Sequence, residues 1–460
     1  MPTQSSYRIN RRDFLKIAGG AFFAVAGPSI LPTYLRRALS PVDVQKASAA
    51  DPPPDLYWAG TDGWIHLPPS PPIGFYHPDS YGPPLPVPIS PTDQNFTTYI
   101  FGFRNVTGMT DLQKVGQKMK AQASAPMFWV KQYDPGNPVD FRMQLTNLGM
   151  QLRPDLFDAH TIHWHGFRNV IPFFDGEPTT SVSVPAGRNF TYIYRPRDPG
   201  TYMYHCHVED VEHVHMGMTG PVFVRPLQDG NTTLYSSGKY VYNDGDGSTG
   251  FDREFVMLLS EVWAESHWCD AHIQLPEWSD YRADFALING RVYPDTIAPN
   301  GSIDPFNPVH DANGDLIPTP GYEHLQYQPL SSLVTCNVGE RVLLRFANLG
   351  FKEAAMTLTG IPMKVVGRDA TLMRGRDGTD TSYLTGTLEF GAGESFDVIF
   401  TAPPMQTPRP PSDPGYDTYM LYNRNFMRSN NLATGGFGGQ ATEVRVYPAG
   451  TLGAQLIPNT

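Results

Sequence analysis

Three short sequence blocks occur twice in this 460-residue chain, in the same order and about 200 residues apart. The blocks are LTNLG at 145–149 and FANLG at 346–350, PAGRNF at 185–190 and GAGESF at 391–396, and DPGTYM at 198–203 with DPG and TYM at 413–415 and 418–420. Repeats of this length are too widely spaced for a solenoid and indicate a duplicated domain. We therefore expect two domains of similar fold.

Each half consists of short apolar runs separated by Pro, Gly, Asn and Asp, which is typical of an all-β sandwich. The chain contains 45 Pro and 43 Gly residues, which also favours a β-rich protein with many turns. We predict a first domain at 96–227, a linker rich in Gly, Ser, Asn and Asp at 228–250, and a second domain at 251–460.

The N-terminal 95 residues have a different character. Arg11-Arg12, followed by Phe-Leu-Lys and an apolar run, resembles a twin-arginine export signal, and Gly and Pro within the run argue against a membrane anchor. We predict a signal and linker at 1–50, with cleavage after Ala26 or Ala49, and a periplasmic or extracellular mature protein without a membrane span. Residues 51–95 are crowded with proline and predict an extended arm over the first domain, or a flexible linker.

Seven of the 13 histidines lie between His160 and His215. They form the clusters HTIHWH at 160–165, HCH at 205–207 and HVHMGM at 213–218. The other six are expected to be surface or incidental residues because none belongs to a His-x-His pair: His66, His77, His267, His272, His310 and His324.

Strand geometry sorts these side chains onto two faces. Residues two apart in a strand share a face, so His163 and His165 lie together while His160 tends to the opposite side. In the same way the two histidines of the 205–207 cluster share a face and its cysteine points away. If the two strands are neighbours, four imidazoles gather on one side of the sheet, and Cys206 gathers with His160 on the other.

The cysteine side has the ligands of a blue-copper site. Two imidazoles, a thiolate and a weak thioether are provided by His160, Cys206, His213 and Met218. Zinc is less suited to this set because it favours four strong ligands. The opposite face has His163, His165, His205 and His207 and no thiolate, which suits one or more further copper ions.

The motifs HxxHxHG at 160–166 and HCH at 205–207 followed by HxxxxM at 213–218 resemble the copper motifs of the multicopper oxidases. DGEP at 175–178 and NGRVYP at 289–294 are also similar to pieces of that family. The resemblance implies two cupredoxin-like Greek-key domains. It implies type 1 copper at His160, Cys206, His213 and Met218, a type 2 ligand at His163, and type 3 ligands at His165, His205 and His207.

The function implied by this resemblance is a copper-dependent oxidoreductase. A donor gives single electrons at type 1 copper, and these pass over the Cys-His segment to a histidine-rich copper site that reduces dioxygen. The donor is left open among phenols, reduced metal ions, a cytochrome or another cupredoxin. Two-domain relatives imply a homotrimer. The net charge of −11 argues against a nucleic-acid partner.

One spacing differs from the family pattern. Six residues separate Cys206 from His213, whereas laccase-like members have four and copper nitrite reductases have eight. We choose His213 because four residues separate it from Met218, as in the family. His215 is the alternative, and it would leave only two residues before Met218.

The second half lacks the matching histidines. It has MTLTG at 356–360 and Asn423-Arg424-Asn425 where a trinuclear cluster would need two more His-x-His pairs. Three hypotheses follow: an oxidase whose cluster is completed across a chain interface, with a second chain as one source of the histidines; a nitrite-reductase-like enzyme with a mononuclear second copper; or a copper electron carrier without turnover. Cys269 and Cys336 form either a disulfide or two buried thiols.

Overall fold

The structure, a computed structural model, describes residues 52–67, 97–168, 170–406, 415–429 and 437–460. The predicted export signal, His77 and residues 68–95 of the predicted arm lie outside these ranges. Among the residues that are described, no helix combines the length and apolar character needed to cross a membrane. The cysteines Cys206, Cys269 and Cys336 are all buried free thiols, so Cys269 and Cys336 form no disulfide.

The first domain is a sandwich of two four-stranded sheets. The first sheet has the order β2-β1-β4-β6 and contains β1 (Leu56–His66), β2 (Thr97–Asn105), β4 (Phe141–Asn147) and β6 (Asn189–Tyr194). The second has the order β3-β8-β7-β5 and contains β3 (Phe128–Lys131), β5 (His163–His165), β7 (Gly200–His205) and β8 (Thr219–Arg225). Two short helices, α1 (Asp111–Val115) and α2 (Asp210–Met216), lie in the connections.

The second domain repeats this plan with larger sheets. One sheet contains β9 (Arg253–Val262), β10 (Phe285–Ile288), β12 (Arg341–Asn348), β14 (Met363–Arg368), β15 (Thr371–Leu372), β16 (Tyr383–Thr385) and β18 (Ser395–Thr401). The other contains β11 (Val334–Asn337), β13 (Ala354–Leu358), β17 (Thr387–Phe390), β19 (Asp417–Asn423) and β20 (Ala441–Tyr447). Helix α3 (Ala264–Ala271) follows β9. The expected all-β fold with two cupredoxin-like sandwich domains is confirmed.

The repeated NLG block has the same structural role in both domains. The side-chain oxygen of Asn147, at the end of β4, accepts a hydrogen bond from the Gly149 backbone N–H at 2.8 Å. Asn348, at the end of β12, does the same for Gly350 at 3.0 Å. This local turn explains why the block survives in both halves, since it ends a central strand and directs the chain into the loop that follows.

The predicted start of the first domain is wrong. Residues 56–66 were expected in the arm, but they form β1, which pairs with β2 on one side and with β4 on the other. The prolines cluster before and after this segment and leave 11 residues free to donate in a ladder. Trp58 and Trp64 point into the sandwich core, whereas Ile65 and its neighbour Leu67 pack towards the second domain. Burial on both faces removes the alternation that identifies a strand from sequence.

An apolar seam joins the two domains. Ile65 and Ile100 of the first domain pack with Val262, Phe285 and other side chains of the second. Further apolar contacts link Met203 with Leu258. The two sandwiches are therefore held together by buried surface.

A buried polar network reinforces this seam. Arg345, on β12, lies between two carboxylates and donates to Glu254 at 3.0 Å and to Asp397 at 3.1 Å. Thr201 of the first domain donates its hydroxyl to Asp397 at 2.6 Å, and Tyr242 donates to the same carboxylate at 2.7 Å. All five side chains are buried. Because buried charges are costly unless paired, this network fixes one arrangement of the two domains.

Replacing Arg345 should destabilise the fold strongly. Arg345→Met removes the guanidinium from Asp397 and Glu254, and we expect the free energy of unfolding to fall by about 3–5 kcal/mol. Chemical denaturation measures this change. Arg195→Met is the control because the Arg195–Asp140 pair is largely exposed on the arginine side, and it should cost less than about 1 kcal/mol. Equal losses in the two variants would contradict the role given to the buried network.

Candidate metal centre

The two histidine clusters lie on neighbouring strands. β5 pairs antiparallel with β7, so that His163 lies opposite His205 and His165 lies opposite Met203. Cys206 and His207 follow directly after β7. The two strands are therefore neighbours, as the sequence predicted. The Cys206 thiol lies on one side of the sheet, and the imidazoles of His163, His165 and His205 lie on the other.

On one side, Cys206 meets two imidazoles. The Cys206 Sγ lies 3.9 Å from His160 Nδ1 and 3.3 Å from His213 Nδ1. The three ligand atoms lie within 4.8 Å of one another, and all three side chains are buried. His213 lies on α2. After this helix, the Met218 backbone N–H donates to the His213 carbonyl at 2.9 Å. The Thr161 N–H also donates to the sulfur at 3.4 Å.

Gly60, on β1, adjoins this group. A Cβ atom at Gly60 would lie 2.7 Å from His160 Cδ2 and 3.5 Å from Met218 Cε. His160 and Met218 therefore border the same point of β1, which places the thioether next to the buried imidazoles. Only glycine leaves room for the His160 ring there. Sequence reasoning missed Gly60 because it assigned this segment to the arm.

The charges in this group favour a thiolate. Burial alone would raise the pKa of Cys206, but the adjacent His213 and His160 outweigh burial and hold it well below its usual value. Burial opposes protonation of His213, yet the Cys206 sulfur and Asp158 raise the pKa of His213 to about 10. Asp158 lies 3.5 Å from His213 Nε2. A metal ion could displace the proton from Nδ1 while Asp158 orients the ring through Nε2.

His215 has a different environment. Its Nε2 accepts a hydrogen bond from the Trp263 N–H at 3.2 Å, and its ring centroid lies 5.0 Å from that of His267. Trp278 and Tyr281 pack edge-on against the ring. Burial lowers the pKa of His215 well below its ordinary value. The structure thus brings His213 to Cys206 and places His215 in an aromatic cluster at the boundary with the second domain.

The four predicted histidines of the opposite face also come together. The ligand atoms of His163, His165 and His205 lie within 4.8 Å of one another, and the His207 ring centroid lies 4.9 Å from that of His163. Burial lowers the pKa of His163 and His165, and it lowers that of His205 to about 3. These imidazoles are neutral at neutral pH, which is the form that binds metal.

Backbone carbonyls select the ring nitrogen that is available to a metal. His163 Nδ1 lies 2.8 Å from the Asp175 carbonyl, and His205 Nδ1 lies 2.7 Å from the Cys206 carbonyl. A carbonyl only accepts, so each Nδ1 carries the proton and each Nε2 keeps its lone pair for a ligand bond. Gly176, with a positive φ of 81°, lets this loop approach, since a Cβ there would lie 2.2 Å from the Ile162 oxygen. This explains the DGEP motif in structural terms.

The second domain contributes different residues. In the register between β13 and β19, Met356 lies opposite Asn423, which is where the first domain has His163 opposite His205. The backbone at Gly393 approaches the same face, and a Cβ there would lie 2.9 Å from His165 Nε2. A complete cluster would have histidines at these positions. The described residues have the thioether of Met356 and the amide of Asn423 instead.

Comparisons with known proteins agree with this geometry. A family profile described as multicopper oxidase matches residues 114–229. A laccase-like multicopper oxidase from Thermothelomyces thermophilus is 40% identical over 88 residues, 18% of this chain and 12% of the relative. A multicopper oxidase from Gibberella zeae is 34% identical over 140 residues, 28% of this chain and 20% of the relative. The chain thus matches only about an eighth to a fifth of the length of these two relatives.

Solved structures with a similar fold include a blue copper oxidase and a copper nitrite reductase, both from Nitrosomonas europaea. The oxidase has a TM-score of 0.51 and 18% identity, with 85% of each chain covered. The reductase has a TM-score of 0.50 and 13% identity, with 88% of this chain and 96% of the other covered. Residues 114–229, which match the multicopper oxidase profile, hold the histidine clusters and Cys206, and they are joined here to a second cupredoxin-like domain.

Proposed function

We propose that this protein is an exported copper-dependent oxidoreductase that accepts electrons from a donor and reduces dioxygen. Type 1 copper would be held by His160, Cys206, His213 and Met218. A second copper site would be held by His163, His165, His205 and His207. Copper at a thiolate–imidazole site exchanges single electrons, and copper held by imidazoles suits reduction of a bound acceptor.

The supporting observation is the continuity of the two ligand groups through the backbone. Cys206 belongs to one group, while its neighbours His205 and His207 belong to the other, so covalent bonds of consecutive residues connect the two sites. The His205 Nδ1–H also donates to the Cys206 carbonyl at 2.7 Å, which adds a hydrogen bond along the same path. A chain that only stored copper would have no need for this coupling.

The chain's own residues prepare both groups for metal. Burial keeps the imidazoles of His163, His165 and His205 neutral, and the carbonyls of Asp175 and Cys206 fix the tautomers of His163 and His205. Asp158 orients His213, and the apolar surroundings exclude water from Cys206, which is fully buried. Such preorganisation reduces structural change between redox states and suits electron transfer.

A nitrite-reductase-like reaction is the second candidate. His163, His165 and His205 all come from the first domain, and their ligand atoms lie close enough together to bind a single ion. The second domain has Met356 and Asn423 at the positions where the first domain has His163 and His205. Within one chain this favours a mononuclear second copper, whereas an oxidase would require a neighbouring chain to complete the cluster. A homotrimer is the proposed assembly. Because identical chains have no His-x-His pair in their second half, the oxidase would also need a different chain to supply histidines.

Cys206→Ser tests the type 1 site. The hydroxyl cannot replace the thiolate, so we expect complete loss of the intense visible band and of donor-dependent turnover. Absorption spectroscopy of the copper-loaded protein gives the result. Cys269→Ser is the matched control because Cys269 is a buried thiol in the second domain, and it should retain the band. A blue band that persists in Cys206→Ser would refute the site.

The two candidate histidines of α2 are separated by paired variants. His213→Ala should abolish the visible band because it removes an imidazole next to Cys206. His215→Ala should retain the band and lower the melting temperature, since it removes a side chain packed among aromatic rings. Loss of the band in His215→Ala but not in His213→Ala would contradict this assignment and make His215 the ligand of the type 1 site.

Copper content and acceptor use distinguish the enzymes from a carrier. The proposed oxidase should bind more than two copper ions per chain in its assembled form and consume dioxygen in the presence of a one-electron donor. Two copper ions with nitrite consumption would indicate the mononuclear enzyme instead. A single copper with a blue band and no consumption of either acceptor would contradict enzymatic function.

A further inference from the structure

A second group of metal-ligating side chains lies outside the candidate copper centre. It consists of His66 at the end of β1, Asp295 in the 3₁₀ turn Asp295–Ile297, and His324 in the 3₁₀ turn Glu323–Leu325. One ligand atom from each lies within 4.8 Å of those of the other two. Nothing in the sequence indicated this group, since the two histidines lie 258 positions apart and were expected to be a surface and an incidental residue. His66 is in fact buried.

The spacing of this group is close to that of ligands around one ion. His66 Nε2 lies 3.6 Å from one carboxylate oxygen of Asp295, and His324 Nε2 lies 3.5 Å from the other. Ligands at zinc bond lengths of 2.0–2.1 Å in a tetrahedral site are separated by about 3.3–3.4 Å. Small side-chain shifts would therefore bring all three ligands to bonding distance. The two imidazole rings are already only 4.5 Å apart between centroids.

Buried hydrogen bonds hold the backbone of this group in place. Gln328 accepts from the His66 N–H at 2.8 Å and donates to the His66 carbonyl at 2.9 Å. The guanidinium of the buried Arg291 donates to the Asp295 carbonyl at 3.2 Å and to the Gln328 carbonyl at 2.6 Å. The ligands from three distant segments thus share one polar framework. Such support is what a metal site needs to keep its geometry.

Charge and access also suit a divalent cation. Two imidazoles that bind through their ring nitrogens and one carboxylate give the ligand set a single negative charge, which offsets part of the charge of a divalent ion. The side chains of Asp295 and His324 are 18% and 20% exposed, whereas that of His66 is 5% exposed. The group therefore opens to solvent on one side, where a water molecule can supply a fourth ligand.

We propose that His66, Asp295 and His324 form a binding site for a divalent transition-metal ion, with zinc as the expected occupant. The site connects the last residue of a first-domain strand to two turns of the second domain, so the bound ion stabilises the packing of the two domains. His66 lies six positions after Gly60 of the candidate copper centre along β1, which corresponds to about 20 Å of strand. The site is therefore distinct from the copper centre.

Total metal content tests this site. Full-length protein without a polyhistidine tag is loaded with copper, dialysed against zinc and then against metal-free buffer, and copper plus zinc are counted by mass spectrometry. We expect one fewer metal ion per chain in His324→Ala than in the wild type. His310→Ala is the matched control, because His310 lies in the same segment but its Nδ1 bonds the Asp311 carbonyl, and it should match the wild type.

A second variant and a second measurement separate metal binding from hydrogen bonding. Asp295→Asn keeps the size of the side chain and removes its charge, so it should also lose one metal ion. Zinc should raise the melting temperature of the wild type and of His310→Ala more than that of His324→Ala or Asp295→Asn. Equal metal counts in all four proteins would overturn the proposal, even if His324→Ala were less stable, because the group would then be only a hydrogen-bonded contact.

Discussion

The pairing of β5 with β7 is the constraint on which the rest of the centre depends. It places His163 opposite His205 and leaves Cys206 as the next residue, so the alternation of side chains along one strand separates a thiolate from the imidazoles. In the proposed function, the coupling between the two sites would run through this one peptide segment.

β1 is the second element on which both domains rely. Its glycine at 60 leaves space for His160, its tryptophans fill the core of the first domain, and its end supplies Ile65 to the seam with the second domain. A single strand therefore links core packing, metal ligation and the domain boundary. A change that shifts its register by one residue would exchange its two faces and disturb all three.

The sequence predicted the fold class and the two groups of neighbouring side chains because both depend on local periodicity. Strand parity between His163 and His165, and around Cys206, needs only the rule that neighbouring side chains alternate. The sequence could not predict β1, because a strand buried on both faces lacks alternation and the surrounding prolines suggested an arm. Asp158 and Gly60 were missed for a related reason, since their contacts with His213 and His160 depend on tertiary structure.

The second domain shows that the sandwich fold does not depend on imidazoles at the strand positions where the first domain has them. Its sandwich depends on an apolar core that includes Phe346 and Val398, and on the turn at Asn348, none of which involves an imidazole. The strands that would carry copper ligands keep their pairing with Met356 opposite Asn423. Because stability comes from the core and the turns, the sandwich forms without histidines at these positions. The retained domain then contributes through its packing against the first, where Arg345 and Asp397 lock the interface.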